Sequence, residues 1–136
     1  MNLAKAVYEK LVIDNTLKNL LGTYEGKPAI FTTDPVPGDA VLPYIVASTI
    51  PSNIPRDSKL SRGREIWIDV RCYTQADGSA ALVNMIAERV RYLLHRQPLL
   101  IDDHLWERSN CTGPISADES DAYGRVVTLQ VTAEEL

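Results

Sequence analysis

The residues from Arg64 to Tyr73 form a strongly alternating segment, which predicts a β-strand with two chemically different faces. A period of two sends every second side chain to the same face. One face is apolar and consists of Ile66, Ile68, Val70 and Cys72. The other combines aromatic and charged side chains and consists of Trp67, Asp69, Arg71 and Tyr73. We expect the first face to lie on a core and the second to contact another protein, because Trp, Tyr and Arg anchor interfaces.

The remaining segments predict an α+β fold in one domain, residues 1–136. Helical periodicity covers 3–12, a short piece around 16–21, and 79–95, where a wide apolar stripe ends before Pro98. Strands are expected at 28–33, 42–48, 104–112 and 123–132, in addition to 64–73. A long polar loop is predicted at 51–63, since it contains two prolines, three serines, Asn53 and Gly63. Too few helices alternate with strands for βαβ repeats, so we expect an antiparallel sheet of four to five strands with the helices on one face.

Composition limits the classes of function. The chain has 136 residues, 45% of them apolar, and a net charge of −4, which argues against a general DNA- or RNA-binding surface. No apolar run is long enough for a membrane span, and the start lacks the apolar segment of a secretory signal, so a cytosolic protein without a membrane contact is expected. Residues 51–65 are net basic and the end from Asp118 onward is net acidic. Two such regions could meet head-to-tail between subunits of a ring.

No catalytic motif is readable, so no catalytic, cofactor-binding or metal-binding residue is assigned. There is no serine elbow and no glycine-rich phosphate loop. Cys72 and Cys111 lack zinc-ligand spacing. Cys72 shares a face with Ile66, Ile68 and Val70 and is expected to be buried as a small apolar side chain. His95 is interpreted as a solvated residue near a helix end.

Two alternatives to a contact protein stay open. Asp102, His104 and Glu107 form the best cluster of potential metal ligands, which would make the chain a small metal-dependent enzyme or ligand-binding domain. The chain could also be a homodimeric adaptor that pairs sheet edges or faces.

Residues for a subunit or partner interface come from the alternating strand and from the basic loop. Of Trp67, Tyr73 and Trp106, at least one is expected to be buried, because aromatic side chains on strands usually belong to the core. The candidate interface residues are Trp67, Asp69, Arg71, Tyr73, Arg56, Lys59 and Arg62.

Four stretches in this order resemble the tail completion, or tail terminator, family of long-tailed bacteriophages and prophages, also called tail-to-head joining proteins. They are the opening helix with its leucine-rich end, a Pro-Tyr pair that opens a strand, the alternating strand and the long helix. The stretches are Val7–Gly22, Pro37–Val46, Ile66–Tyr73 and Ala80–Leu94. Together they span nearly the whole chain, although the approach at Lys27–Phe31 is longer than the family pattern.

The resemblance implies a non-enzymatic virion assembly protein. Such a protein would form a ring, typically a hexamer, on the head-proximal end of the tail tube and join it to the head connector protein. Its partners would be further copies of itself, the tail tube protein and the connector, and DNA would pass through the lumen without specific binding. Its location would be the virion tail, and the host cytoplasm during assembly.

Overall fold

The computed structural model describes residues 2–33, 36–55, 63–119 and 121–136, apart from the side chains of residues 49–55. Three helices are present in these ranges: α1 (Leu3–Val12), α2 (Asn15–Leu20) and α3 (Ala81–Leu94). Seven strands accompany them. They are β1 (Thr23–Tyr24), β2 (Lys27–Pro28), β3 (Ile30–Phe31), β4 (Tyr44–Pro55), β5 (Gly63–Gln75), β6 (His104–Ser116) and β7 (Ala122–Glu135).

The main sheet has five strands in the order β3-β4-β5-β7-β6. The pairs β4–β5, β5–β7 and β6–β7 are antiparallel, as expected. The short pair β3–β4 is parallel, so the sheet is mixed and not purely antiparallel. β1 and β2 form a separate two-stranded hairpin that the sequence did not predict. The α+β class is confirmed.

The core lies between the helices and one face of this sheet. Ile66, Ile68 and Val70 of β5 are almost fully inaccessible and share one cluster with the buried sides of α1 and α3. β5 and β7 are in continuous register, with Ile68 opposite Leu129. The predicted inward face of the alternating strand is therefore confirmed, including Cys72, whose burial raises the pKa of its thiol to about 12.

The first two helices each begin at a side chain that accepts a hydrogen bond from the helix backbone. The Asn2 side chain accepts a hydrogen bond from the Lys5 backbone at 3.0 Å and begins α1. The carboxylate of Asp14 accepts one from the Leu17 backbone and begins α2. No helix of the described ranges is both long and apolar enough to cross a membrane.

The predicted loop at 51–63 is wrong at its described positions, since residues 51–55 and Gly63 belong to strands, and residues 56–62 lie outside the described residues. β4 continues through Pro55, with an irregularity in its pairing between Thr49 and Asn53 that accommodates Pro51. Residues 51–55 are therefore strand. Three candidate interface residues, Arg56, Lys59 and Arg62, lie outside the described residues.

Candidate interaction surfaces

The outer face of the sheet is the face turned away from the helices. Trp67, Asp69 and Arg71 are half-buried there and alternate with the fully buried residues of the core face. Across the strand pair, Trp67 lies opposite Gln130, and Asp69 lies opposite Thr128. In the described part of the chain, the helices share the core cluster of the other face, and none of them packs on Trp67. An aromatic side chain in the middle of an uncovered sheet face is typical of a contact surface.

The polar side chains of this outer face are held in place by one another. The Thr128 hydroxyl donates a hydrogen bond to Asp69 Oδ1 at 2.8 Å, and Arg71 Nη2 lies 3.9 Å from Asp69 Oδ2. Gln130 Nε2 donates to a carboxylate oxygen of Glu65. Arg71 Nε is buried and has no hydrogen-bond partner among the described residues. The face therefore presents oriented polar groups around Trp67, including one donor that an incoming acceptor could satisfy.

Tyr73, the fourth predicted member of this face, is a packing residue. It is only 8% exposed and lies in a second apolar cluster with Val46 and Ala122. Its ring is 5.6 Å from that of Tyr44, and burial raises the pKa of its hydroxyl. The expectation that at least one of the three strand aromatics is buried is confirmed by Tyr73. Its burial leaves Trp67, Asp69 and Arg71 as the accessible part of the predicted set on this strand.

Asp102, His104 and Glu107 do not form a metal site in the structure. The Asp102 carboxylate lies 3.1 Å from Lys5 Nζ, and its backbone carbonyl is 3.0 Å from His104 Nδ1. Glu107 falls where the pairing between β6 and β7 shifts register. Within the described ranges, no three His, Cys, Asp or Glu side chains come together as metal ligands. The sequence cluster instead belongs to a turn and the start of an outer strand.

That turn borders an apolar groove that the sequence reasoning did not single out. The groove has a volume of about 480 Å³ and is lined mainly by the segment from Pro98 to Trp106, with Glu9 of α1 on its other side. Leu100 is 89% exposed and Leu105 55% exposed. The sequence does contain a signal for this groove. Three consecutive aliphatic residues, Leu99, Leu100 and Ile101, follow Pro98 without any polar residue between them.

The outer edge of β6 is covered by the chain that leaves α3. Arg96 donates its backbone N–H to the Ser109 carbonyl at 2.8 Å, and the Cys111 backbone N–H donates to His95 Nδ1 at 3.0 Å. The buried Ser109 hydroxyl donates to the Leu94 carbonyl at the helix end. These bonds occupy groups that an unprotected edge strand would offer to another chain. Contacts with other proteins are therefore expected on the outer face of the sheet and not along this part of the β6 edge.

His95 lies at the end of α3, as expected, but it is half-buried and its ring takes part in a hydrogen bond. Its Nδ1 accepts a hydrogen bond, so the neutral ring carries its proton on Nε2. Burial, together with the charges of Arg91 and Arg96, lowers the pKa of the imidazole. His95 is thus a structural acceptor that joins the end of α3 to β6.

Comparison with known proteins gives a family and a fold. The family model described as tail completion protein gp17 matches residues 5–134 of the chain. A search of curated proteins gives no match. Twelve chains of solved structures match. One of them belongs to the structure described as "Virion of native gene transfer agent (GTA) particle", with a TM-score of 0.78 and 21% identity, covering 97% of this chain and 94% of the other. At that identity the likeness to the virion chain shows a shared fold.

Proposed function

The chain belongs to the tail completion protein gp17 family, whose members are structural proteins of phage tails, and on that premise we propose that it caps the head-proximal end of a tail tube. In this proposal several copies form a ring, with six as the expected number, which stops tube growth and offers its other side to the head connector protein. The protein acts without catalysis, assembles in the host cytoplasm and remains in the virion tail. A chain of the same fold occurs in a gene transfer agent virion, which supports a place in a particle of this kind.

The observation that carries the proposal is the outer face of the sheet around Trp67, on which none of the described helices packs. Trp67 lies in the middle of that face, beside the Asp69 carboxylate that Thr128 orients. A large aromatic side chain surrounded by oriented polar groups is the usual composition of an interface centre. We therefore assign Trp67, Asp69 and Arg71 to the contact with the tube protein or a neighbouring subunit.

The charge of the chain suits a passage for DNA. The net charge of −4 is repeated in every copy of a ring, so a ring of six would carry −24. A strongly basic lumen would retain DNA through its phosphates, whereas an acidic chain lets it pass without specific binding. The same repulsion requires attractive contacts between subunits, and a heterologous contact between two different surfaces closes a ring where a self-complementary one stops at a dimer.

Tube capping is tested with the purified tail tube protein of the same phage. Tubes are polymerised with increasing amounts of this chain, and their lengths are measured by electron microscopy. We expect mean length to fall as the ratio of chain to tube protein rises. Light scattering on the chain alone and with tube protein reports the assembly state, and a stable dimer that ignores tube protein would favour the homodimeric adaptor.

The assignment of the outer face is tested with Trp67→Ala. We expect this variant to remain folded but to lose most of its effect on tube length. Tyr92→Ala is the matched control, because Tyr92 is an exposed aromatic residue on α3 at the other side of the molecule. Equal tube shortening by both variants and the parent chain would refute the assigned face.

A further inference from the structure

The groove between α1 and the Pro98–Trp106 segment has the chemistry of a docking site for a short peptide. Most of its lining is aliphatic or aromatic, and Leu100 and Leu105 project at its border. Two polar atoms of its lining, Trp106 Nε1 and His104 Nε2, are buried and have no hydrogen-bond partner among the residues that the structure describes. The indole N–H is a donor. Since His104 Nδ1 faces a backbone carbonyl, its Nε2 is an acceptor in the neutral ring. A peptide group offers the complementary acceptor and donor.

The rim of the groove is acidic. Glu9 and Asp102 have side chains that are 53% and 62% exposed, and Lys5 Nζ lies 3.9 Å from one and 3.1 Å from the other. Asp103 is exposed next to Asp102. Glu9 and Asp102 therefore share one ammonium group, and Asp103 beside them adds a third carboxylate, so these four side chains carry a net charge of −2. An occupant should be basic and should carry an apolar side chain for the groove.

Two acidic residues toward the end of the chain, Glu135 and Asp118, are already paired within the subunit. Arg64 lies 2.8 Å from Glu135, and Arg125 lies 2.9 Å from Asp118. We expected the acidic end to meet a basic segment of a neighbouring copy. These two carboxylates are less available for such a contact, because each already has an arginine partner in its own chain. The groove rim keeps excess negative charge and combines it with an apolar surface.

One segment of the chain has the required composition. Residues 56–62 read Arg-Asp-Ser-Lys-Leu-Ser-Arg, with three basic residues against one acidic one, a net charge of +2, and a single aliphatic residue, Leu60. We propose that the groove receives residues 56–62 of a neighbouring copy of this chain, with Leu60 against Leu100 and Leu105. The proposal rests on the ring of the proposed function and names the surface through which its subunits join. A segment and a groove are different surfaces, so the contact is heterologous and can continue from copy to copy.

The direct test is binding of a fluorescent peptide spanning residues 54–64, followed by anisotropy. The parent chain should bind it, and binding should weaken as salt rises from about 50 to about 300 mM, because the rim charges are exposed. The double variant Glu9→Lys/Asp102→Lys should bind at least about tenfold more weakly. Glu88→Lys is the control, since Glu88 is exposed on α3 away from the groove. Equal binding by all three proteins, or none by the parent chain, overturns the proposal.

A mixing experiment separates a contact between copies from one within a copy. A groove variant (Glu9→Lys/Asp102→Lys) and a segment variant (Lys59→Glu/Arg62→Glu) are each expected to sediment as monomers. Mixed in equal amounts, they should form dimers that grow no further, because only one intact groove and one intact segment are available per pair. A mixture that stays monomeric overturns the contact between copies. The tube-length assay is run on the same variants, so that loss of docking with tube capping retained refutes this inference alone.

Discussion

Ile68→Ala tests the assignment of the two faces of β5, on which both the fold and the proposed surface depend. Ile68 is fully inaccessible and lies opposite Leu129 in the register of the central strand pair. The substitution removes about three carbons, worth about 0.8 kcal/mol each in transfer free energy. The cavity left in a rigid sheet adds to this loss, so we expect unfolding to become easier by about 3–4 kcal/mol.

Urea denaturation followed by tryptophan fluorescence measures the effect. Small proteins show a slope of about 1–3 kcal/mol per molar urea. A loss of about 3 kcal/mol at a slope of about 2 therefore shifts the midpoint by about 1.5 M toward lower urea. Ile68→Val is the graded control, expected to cost only about 0.5–1.5 kcal/mol because most of the side chain remains.

Trp67→Ala, at the neighbouring position, tests whether the two faces of β5 are assigned correctly. Trp67 is half-buried on the outer face, so Trp67→Ala should cost the isolated chain less than Ile68→Ala, about 1–2 kcal/mol. The reverse order would mean that the two faces are exchanged. Since a slip of one residue moves every side chain of a strand to the opposite face, that result would refute the register and the proposed contact surface together.

Three further predictions follow from buried contacts. Ser109→Ala removes the hydroxyl that bonds the carbonyl at the end of α3, and thermal unfolding should show a loss of about 1–3 kcal/mol because a buried acceptor loses its partner. The pKa of His95 is lowered in the fold, so the unfolded chain binds more protons. The stability that this lowered pKa contributes is complete above about pH 6.5, the pKa of the unfolded chain, and is lost as the pH falls through the pKa of the folded chain. His95→Gln should abolish this part of the pH dependence of stability, as measured by urea titrations between about pH 5 and 7.5. Gly124→Ala should destabilise strongly by the same urea assay, because its Cβ would lie 2.3 Å from a backbone oxygen, whereas Gly38→Ala, with nothing within 4 Å, should change stability by less than about 1 kcal/mol.

Features set by local periodicity were predictable from the sequence. The alternation of Ile66, Ile68 and Val70 gave the correct buried face, and the apolar stripe of the long helix gave α3 to within two residues at its start. Features set by pairing between distant segments were not. The prolines at 51 and 55 indicated a loop, yet β4 continues to Pro55 because β5 supplies a partner strand and the pairing shifts around Pro51.

The same distinction separates what was predictable about the surfaces. Alternation alone placed Trp67, Asp69, Arg71 and Tyr73 on one face, but it could not show that Tyr73 meets the ring of Tyr44 on the adjacent strand. Accessibility depends on the neighbouring strand, which periodicity in one segment does not report.

Charged residues show this limit of the sequence most clearly, because a sequence gives the number of charges but not which of them form ion pairs in the fold. The sequence contrasts a basic segment with an acidic end, and a contact between subunits was the natural interpretation. In the fold, β5 and β7 are adjacent and antiparallel, so Gly63 lies opposite Glu134 and Arg64 reaches Glu135 within the same chain. The charges that remain for assembly are those in excess of the partners within the chain, as where Glu9 and Asp102 share the single ammonium group of Lys5. On this argument, the carboxylates beside the groove have more influence on association than those at the end of the chain. Reversal of Glu9 and Asp102 should therefore weaken association more than reversal of Glu134 and Glu135, and sedimentation velocity of the two double variants measures the difference; an equal loss from both pairs would refute the argument.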